Sequence, residues 1–243
     1  MNRKAVALIA AVLALGGAAA GLVIAAGGAN AGESAQTVKF TASDLFVEIN
    51  ATDGDAGLQL NLDGEPWSTL ELVDPSGRTI MAVENGSELK SYGLTGLTFE
   101  SAEPPFDEHP LSEFMAKFPE GVYRFTGTTA DGRAIVGQDK LTHVFPVGPV
   151  VTAPAEGAVV SSSGLVVTWL PVTQPNGVKI VQYEVIVSNA DTGKDLSMEL
   201  PPSATSASIP GEFLTPGTEF ALEVLAREAS GNQTITEVAF RTE

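Results

Sequence analysis

Apolar residues recur at every second position in short runs along this chain, and this alternation limits its fold more than any other feature of the sequence. Successive side chains of a β-strand point to opposite faces, so a period of two predicts strands with one buried face. Glycine and proline separate the runs at the intervals of short strands, and no helical period follows residue 120. We therefore expect an all-β protein of sandwiched sheets. The clearest runs are residues 38–46, 58–62, 69–73, 178–187 and 218–226.

The first 31 residues have the features of a cleaved secretory signal peptide. Arg3 and Lys4 precede an apolar stretch over residues 5–26, and residues 29–31 form the small-x-small pattern that signal peptidase accepts. Gly32 is then the first mature residue, and the protein is expected to be secreted or periplasmic, with no membrane span after cleavage. The alternative is a retained anchor, because the stretch is long enough to cross about 30 Å of hydrocarbon.

Charge and cysteine content narrow the classes of partner. The formal net charge is −17, and the chain has no cysteine. A field of this sign repels nucleic acid, whereas it attracts cations and basic protein surfaces. A simpler interpretation is that the acidic residues keep an exported protein soluble. Without disulfides, each domain must be stabilised by its apolar core.

The sequence predicts two domains in tandem. Residues 145–154 contain three prolines between two regions of alternating polarity, which is typical of a short stiff linker. We expect an acidic, immunoglobulin-like sandwich over residues 32–146 and a second sandwich over residues 147–243.

Two hairpins and one helix are predicted within the first domain. Proline and glycine in residues 74–77 favour a turn, and the Asp131–Gly132 pair favours another. Between them, four apolar residues at positions 111, 114, 115 and 118 have helical spacing, so a helix is predicted near residues 110–118. This helix is expected to cover an end or edge of the sandwich.

The second domain resembles the fibronectin type III family over residues 149–243. Trp169 and Tyr183 occupy the positions of the family's two core aromatics, and Leu214 precedes a Thr-Pro-Gly turn. The resemblance implies a two-sheet sandwich that binds, spaces or presents and has no catalytic residues. Phe220 stands where the family usually has the tyrosine of a tyrosine corner, so that hydrogen bond is absent. The loop before the last strand carries no Arg-Gly-Asp triplet.

The first domain resembles N-terminal regions of uncharacterised bacterial secreted proteins that precede a fibronectin-like domain. The similar segments are FVEINATDGDAG, FPEGVYRFTGTTADGR and LTHVFPVGP. This resemblance implies export and supplies no activity.

Residues that carry chemistry are scarce in the sequence. The two histidines, His109 and His143, lack metal-ligand spacing, and no nucleophile motif is present. His143 is expected on a hairpin strand. We assign no catalytic, cofactor-binding or metal-binding residues and expect no cofactor. Whether Asp53, Asp55 and Asp63 bind calcium is left open, because Asp-Gly pairs also form ordinary turns.

Three functions remain compatible with the sequence. The first is a non-catalytic exported binding or scaffolding protein that contacts another protein or the cell envelope. The second is a carbohydrate-associated module, for which an exposed aromatic such as Trp67, in a turn at residues 64–67, is the feature to check; core packing is the favoured role for this side chain. The third is a small hydrolase that uses acidic residues of the first domain.

Overall fold

A computed structural model describes residues 37–243 of the chain. The predicted signal peptide and its anchor alternative therefore lie outside the described residues. Within the described range, no helix is both long and apolar enough to cross a membrane. The elements before residue 142 are β1 (Val38–Lys39), β2 (Ala42–Asn50), β3 (Asp55–Val73), β4 (Thr79–Glu84), α1 (Ser87–Tyr92), β5 (Leu94–Glu100), α2 (Leu111–Lys117), β6 (Gly121–Thr129) and β7 (Ala134–Leu141).

The first half of the structure is a curled, sandwich-like sheet organised around β3. This strand pairs with β2 and β5 along its first part and with β4 and β6 along its second part. At the far edge β1 pairs in parallel with β7, while Leu45 of β2 donates its N–H to Asp139 of β7 at 2.8 Å. The sheet therefore curls round one apolar core, whose largest fully buried side chains include Trp67, Tyr123 and Phe125.

Local sequence signals predicted most of these elements. The hairpin turns at residues 74–77 and 130–132 connect β3 to β4 and β6 to β7, as expected. Asp74 stabilises the first turn, because its Oδ1 accepts hydrogen bonds from the N–H groups of Ser76 and Arg78, each at 2.9 Å. The predicted helix is α2. Helix α1 was not predicted, since none of its residues is buried and it has no apolar stripe to signal it.

Two sequence-based boundaries are wrong. Residues 38–46 were expected to form a single strand, but a break divides β1 from β2. A turn was expected at residues 64–67, yet β3 continues through them. Pro66 has no N–H to donate to a neighbouring strand, so the pairing of β3 with β5 is interrupted there. The interruption is a register shift between Asp63 and Trp67, and the chain does not reverse its direction. Trp67 is fully buried in the core.

The second half is a two-sheet sandwich, as predicted. Strands β8, β10 and β13 form one sheet, and β9, β15, β14, β11 and β12 follow one another in the other. The bounds are β8 (Val150–Ala153), β9 (Ala158–Val160), β10 (Gly164–Leu170), β11 (Ile180–Asn189), β12 (Lys194–Leu200), β13 (Ser206–Pro210), β14 (Glu219–Glu228) and β15 (Gln233–Thr242).

Aromatic side chains fill the space between these two sheets. The rings of Trp169 and Tyr183 lie 5.5 Å apart, and the Tyr183 hydroxyl accepts a hydrogen bond from the Val172 N–H at 2.8 Å. Phe220 stacks on Phe240 with the ring centroids 5.3 Å apart. The residue that replaces the corner tyrosine thus retains its aromatic packing in the core.

The two halves share a sheet. Strand β15 pairs in parallel with β2, so that twelve strands belong to one continuous sheet, which contains the path β1-β7-β6-β3-β2-β15-β14-β11-β12. Each half nevertheless keeps its own apolar core, one around Trp67 and one around Trp169. The division at residues 146 and 147 remains a prediction.

Candidate functional site

The contact between β2 and β15 is the feature that most distinguishes this structure from two sandwiches joined by a linker. Glu48, Ile49 and Asn50 of β2 lie opposite the first three residues of β15, Gln233 to Ile235. The ladder continues past the strand end, because Ala51 donates its N–H to the carbonyl of Ile235 at 2.9 Å. We call this contact the strand junction.

Asn232 lies at the centre of the strand junction. Its side chain is almost completely buried, at 1% exposure. The Oδ1 atom accepts a hydrogen bond from the Val47 N–H at 2.9 Å, while Nδ2 donates to the carbonyls of Thr142 and Val144 at 2.9 and 3.0 Å. One amide therefore connects β2, the segment after β7 and the start of β15. A buried amide with its donors and acceptor satisfied stabilises and orients the groups that it bonds.

Further polar contacts extend the junction along β15. Thr234 donates its hydroxyl to the Pro146 carbonyl at 2.7 Å. Asn50 donates its amide N–H to Glu237 at 2.5 Å, and the Glu237 N–H bonds the Thr52 hydroxyl at 2.8 Å. The junction thus holds side chains from both halves as well as the connecting segment.

On the outer face of the shared sheet, an arginine and a glutamine lie beside a buried glutamate. Gln233 donates its amide N–H to Glu48 and accepts from Arg227 Nη2 at 2.8 Å. The Arg227 guanidinium also lies 5.4 Å from the centre of the Phe46 ring, within the range of a cation–π contact.

Acidic side chains collect on this same face. Glu48 lies opposite Gly57 in the sheet, Glu100 lies opposite Gln59, and Glu223 lies opposite Glu237. Directly opposed residues project from the same face of a sheet, so these strands present their acids together. We call the following set the junction carboxylates: Glu48, Asp55, Glu100, Glu103, Glu223 and Glu237.

Three of the junction carboxylates are especially close. Glu48, Glu100 and Glu103 each bring a carboxylate oxygen within 4.8 Å of the others. Glu103 reaches this position over Gly57, where any β-carbon would overlap its side chain. Carboxylates at this spacing repel one another unless they hold protons or a hard cation.

Burial and mutual repulsion raise the pKa of most members of the group. Burial, aided by the charge of Glu100, raises the pKa of Glu48 to about 7, against the opposing hydrogen bond from Gln233. Burial and the neighbouring carboxylates raise the pKa of both Glu103 and Glu223 to about 8. The same causes raise the pKa of Asp55 to about 6. Several protons therefore remain bound to this face near neutral pH.

The residues considered for calcium do not form one site. Asp53 and Asp55 lie close together, at the turn between β2 and β3, and Asp53 contributes to the raised pKa of Asp55. Asp63 lies eight residues further along the same strand, about 26 Å away at the rise of an extended chain. The sequence proximity of the Asp-Gly pairs was therefore a poor guide to spatial proximity.

The structure places the histidines on either side of α2. His109 precedes the helix, where its Nδ1 lies 4.0 Å from Glu113. The expectation that His143 lies on a strand is wrong, because β7 ends at Leu141. His143 Nε2 lies 2.9 Å from the Phe118 carbonyl, and its N–H bonds Glu120 at 2.7 Å. His143 therefore connects the segment after β7 to the end of α2.

Of the junction carboxylates, sequence reasoning named Asp55 as a calcium candidate, but it did not find Glu48, Glu223, Glu237 or Asn232. Glu48 and Glu223 interrupt apolar runs at outward-facing positions, where an acid normally indicates a solvated strand face. For Glu100 and Glu103, the signal was the acidic, proline-rich segment of residues 100–108.

The junction carboxylates line none of three cavities in the first half of the chain, although one of these cavities is lined by their neighbours Ala56, Ser101, Ala102 and Pro104. One of about 500 Å³ runs over β3 between β4 and β6, and an apolar one of about 320 Å³ lies between α2 and the segment after β5. The third, of about 280 Å³, lies beside Tyr92.

Comparison with known proteins supports the interpretation of the second half. Residues 152–242 match the model of the Fibronectin type III domain. No curated protein matches the chain. Among solved structures, the chain is similar to a two-domain fibronectin type III segment of chicken tenascin, with 13% identity, a TM-score of 0.32, and coverage of 82% of this chain and 97% of that one.

The chain is also similar to the fn3 domain of the human collagen alpha-1(XX) chain. The identity is 21% and the TM-score 0.30, with coverage of 40% of this chain and 82% of the other. The family match and the aromatic core together identify the C-terminal part of the chain as a fibronectin type III module.

Proposed function

We propose that this protein is a non-catalytic, exported scaffold that binds another protein or the cell envelope and holds its two β-sandwiches in one fixed orientation. The observation that carries the proposal is the strand junction, in which β2 and β15 pair and the buried amide of Asn232 connects both halves. Domains joined only by a linker are expected to move relative to one another. A shared sheet with buried hydrogen bonds resists that motion.

The outer sheet face supplies the chemistry for a partner. Glu184 and Glu199 lie opposite one another on neighbouring strands, and Ile186, two residues beyond Glu184, lies opposite Glu223. Further acids therefore lie on the same face beside the junction carboxylates, and Glu199 is exposed to solvent. Several junction carboxylates keep their protons near neutral pH, so it is the exposed acids beside them that supply the negative field, and this field favours a basic protein or envelope surface.

Envelope fractionation tests the proposal through charge reversal. The double variant Glu184→Lys/Glu199→Lys is expected to reduce the amount of chain retained with the envelope severalfold, because it reverses two charges on the proposed contact face. The matched control is Glu88→Lys/Glu108→Lys, which makes the same charge change on the first half instead of the second. Equal retention of both variants, or recovery of the unaltered chain entirely in the soluble fraction without a partner, would contradict the proposal.

Trp67 and the junction carboxylates give the two alternative functions no support. Trp67 is fully buried, so it offers no platform for a sugar. A hydrolase needs acidic residues that face a substrate cavity. The junction carboxylates line none of the three cavities reported above; Glu71 and Glu84 line the one over β3, and Glu65 and Asp131 line the one beside Tyr92, where both are paired with Arg133.

A further inference from the structure

A small cavity beside α1 combines an exposed aromatic ring with a fixed set of charged groups. Its volume is about 280 Å³. Three separate segments meet there: the bent part of β3, the end of α1, and the turn between β6 and β7. We call this cavity the Tyr92 pocket; its lining residues are Glu65, Pro66, Ser91, Tyr92, Ala130, Asp131 and Arg133.

Tyr92 is the aromatic residue that distinguishes this cavity. Its side chain is 79% exposed, whereas Tyr123 and Tyr183 are both buried in the two cores. An exposed ring offers a flat apolar face beside a polar hydroxyl, a combination that suits ligands with one apolar and one polar side. The position of the ring at a cavity gives such a ligand walls as well as a platform.

Charged groups in the pocket are already paired. Arg133 donates from Nε to Asp131 at 2.9 Å and from Nη2 to Glu65. Asp131 also accepts a hydrogen bond from the Thr129 hydroxyl. Each carboxylate has further lone pairs, and the guanidinium has further N–H groups, so the network can bond a ligand as donor and as acceptor.

Close contacts and hydrogen bonds hold the three segments of the pocket together. Gly93, just after Tyr92, packs so closely on Pro66 that an added β-carbon would lie 2.7 Å from that side chain. The buried amide of Asn85 donates to the Trp67 carbonyl at 2.7 Å, and the Ala130 N–H donates to the Pro66 carbonyl at 2.8 Å. A site built from such fixed parts loses little entropy when it binds a ligand.

We propose that the Tyr92 pocket binds a pyranose sugar, with the apolar face of the sugar ring on Tyr92 and neighbouring hydroxyls bonded to Glu65, Asp131 and Arg133. A cationic ligand would have to compete with Arg133 for both carboxylates, and those carboxylates would repel an anionic ligand. Vicinal hydroxyls both donate and accept, so a neutral sugar uses the network without breaking it. This site does not depend on the proposed scaffold role.

A glycan array probed with the full chain and with three variants tests this site. Tyr92→Ala is expected to lower the signal on the bound glycans at least tenfold, because it removes the platform. Tyr92→Phe keeps the ring and is expected to retain the signal within about threefold, the small loss expected for one exposed hydroxyl. The control is Leu170→Ala. It removes a large side chain that is also exposed, at 53%, but lies in the second half of the protein.

Each result decides the proposal. A glycan signal that Tyr92→Ala removes and Leu170→Ala preserves supports it. Silence of the unaltered chain on every glycan, a signal that survives Tyr92→Ala, or an equal loss in the Leu170→Ala control overturns it. Thermal unfolding of each variant checks that the fold is intact, and because Tyr92 is exposed we expect its replacement to leave the unfolding midpoint nearly unchanged.

Discussion

At the scale of single residues, this protein is unusual in burying acids on a sheet face that would ordinarily be solvated. Glu48 and Glu223 are 5% and 7% exposed. Isolated buried carboxylates are costly when charged, so they tend to retain their protons. The pKa values of Glu48, Glu103 and Glu223 accordingly lie at about 7, 8 and 8 instead of the ordinary 4.5.

These shifts predict a stability that falls as the pH rises. Each raised pKa means that the folded state binds the proton more tightly than the unfolded state, so the contribution is complete below about pH 4.5 and is lost through about pH 7–8. We expect the unfolding midpoint to be roughly 5 °C lower at about pH 8.5 than at about pH 5.5. Calorimetry at the two pH values measures this difference.

Glu223→Gln provides the specific check, since it removes one of the raised groups and should reduce the pH-dependent difference. Glu199→Gln removes an exposed acid of equal charge and serves as its control. An unfolding midpoint that rises with pH, or an equal effect of the two variants, would show that burial of Glu223 is not the cause.

At the scale of elements, close backbone approach decides where the short helix α1 lies. Gly93 follows the helix with φ 76° and ψ 161°, a conformation that side chains with a β-carbon rarely adopt. It also lies directly against Pro66 and Trp67 of β3. This contact, together with the amide of Asn85, holds α1 although none of the helix's residues is buried.

Gly93→Ala is therefore expected to destabilise the protein by about 3 kcal/mol, from the backbone strain and the overlap together. Gly77→Ala is the matched control, because Gly77 has φ 87° but no atom within 4 Å of an added β-carbon. Its expected cost is only the strain, about 1 kcal/mol. Chemical denaturation measures both, and equal losses would mean that the contact with Pro66 is unimportant.

At the scale of the whole molecule, the strand junction couples two cores that the sequence divides. Each core contains one of the two tryptophans, Trp67 in the first half and Trp169 in the second. Fluorescence of Trp67→Phe and Trp169→Phe variants therefore follows each half separately. We expect the two unfolding midpoints to coincide, because unfolding of one half breaks the shared sheet.

Asn232→Ala is expected to separate those midpoints and to lower the free energy of unfolding by about 2–3 kcal/mol, since it leaves buried donors and acceptors without partners. Asn61→Ala removes an amide whose bond to Asp44, at 3.4 Å, lies at the surface, and it should leave the midpoints together. Separate midpoints in the two tryptophan variants with Asn232 intact would refute the coupling.

The sequence by itself determined what depends on neighbours along the chain. Alternation predicted the strands, Pro75 and Gly132 marked the two hairpins, and helical spacing predicted α2, because each pattern acts over a few residues. Trp169 and Tyr183 indicated the fibronectin type III sandwich, since its core aromatics fall within one module. Core packing was also the favoured role of Trp67, but its place within a continuous strand required the tertiary structure, because its neighbours along the chain resemble a turn.

Only the tertiary structure decided how the halves meet and where the acids collect. The hydrogen bond between Val47 and Asn232 joins residues 185 positions apart, and no local pattern encodes a pairing over that distance. The junction carboxylates come from β2, the start of β3, the end of β5 and the segment after it, β14 and β15. Their raised pKa values arise from burial and mutual repulsion, and both depend on distances through space that the order of residues does not contain.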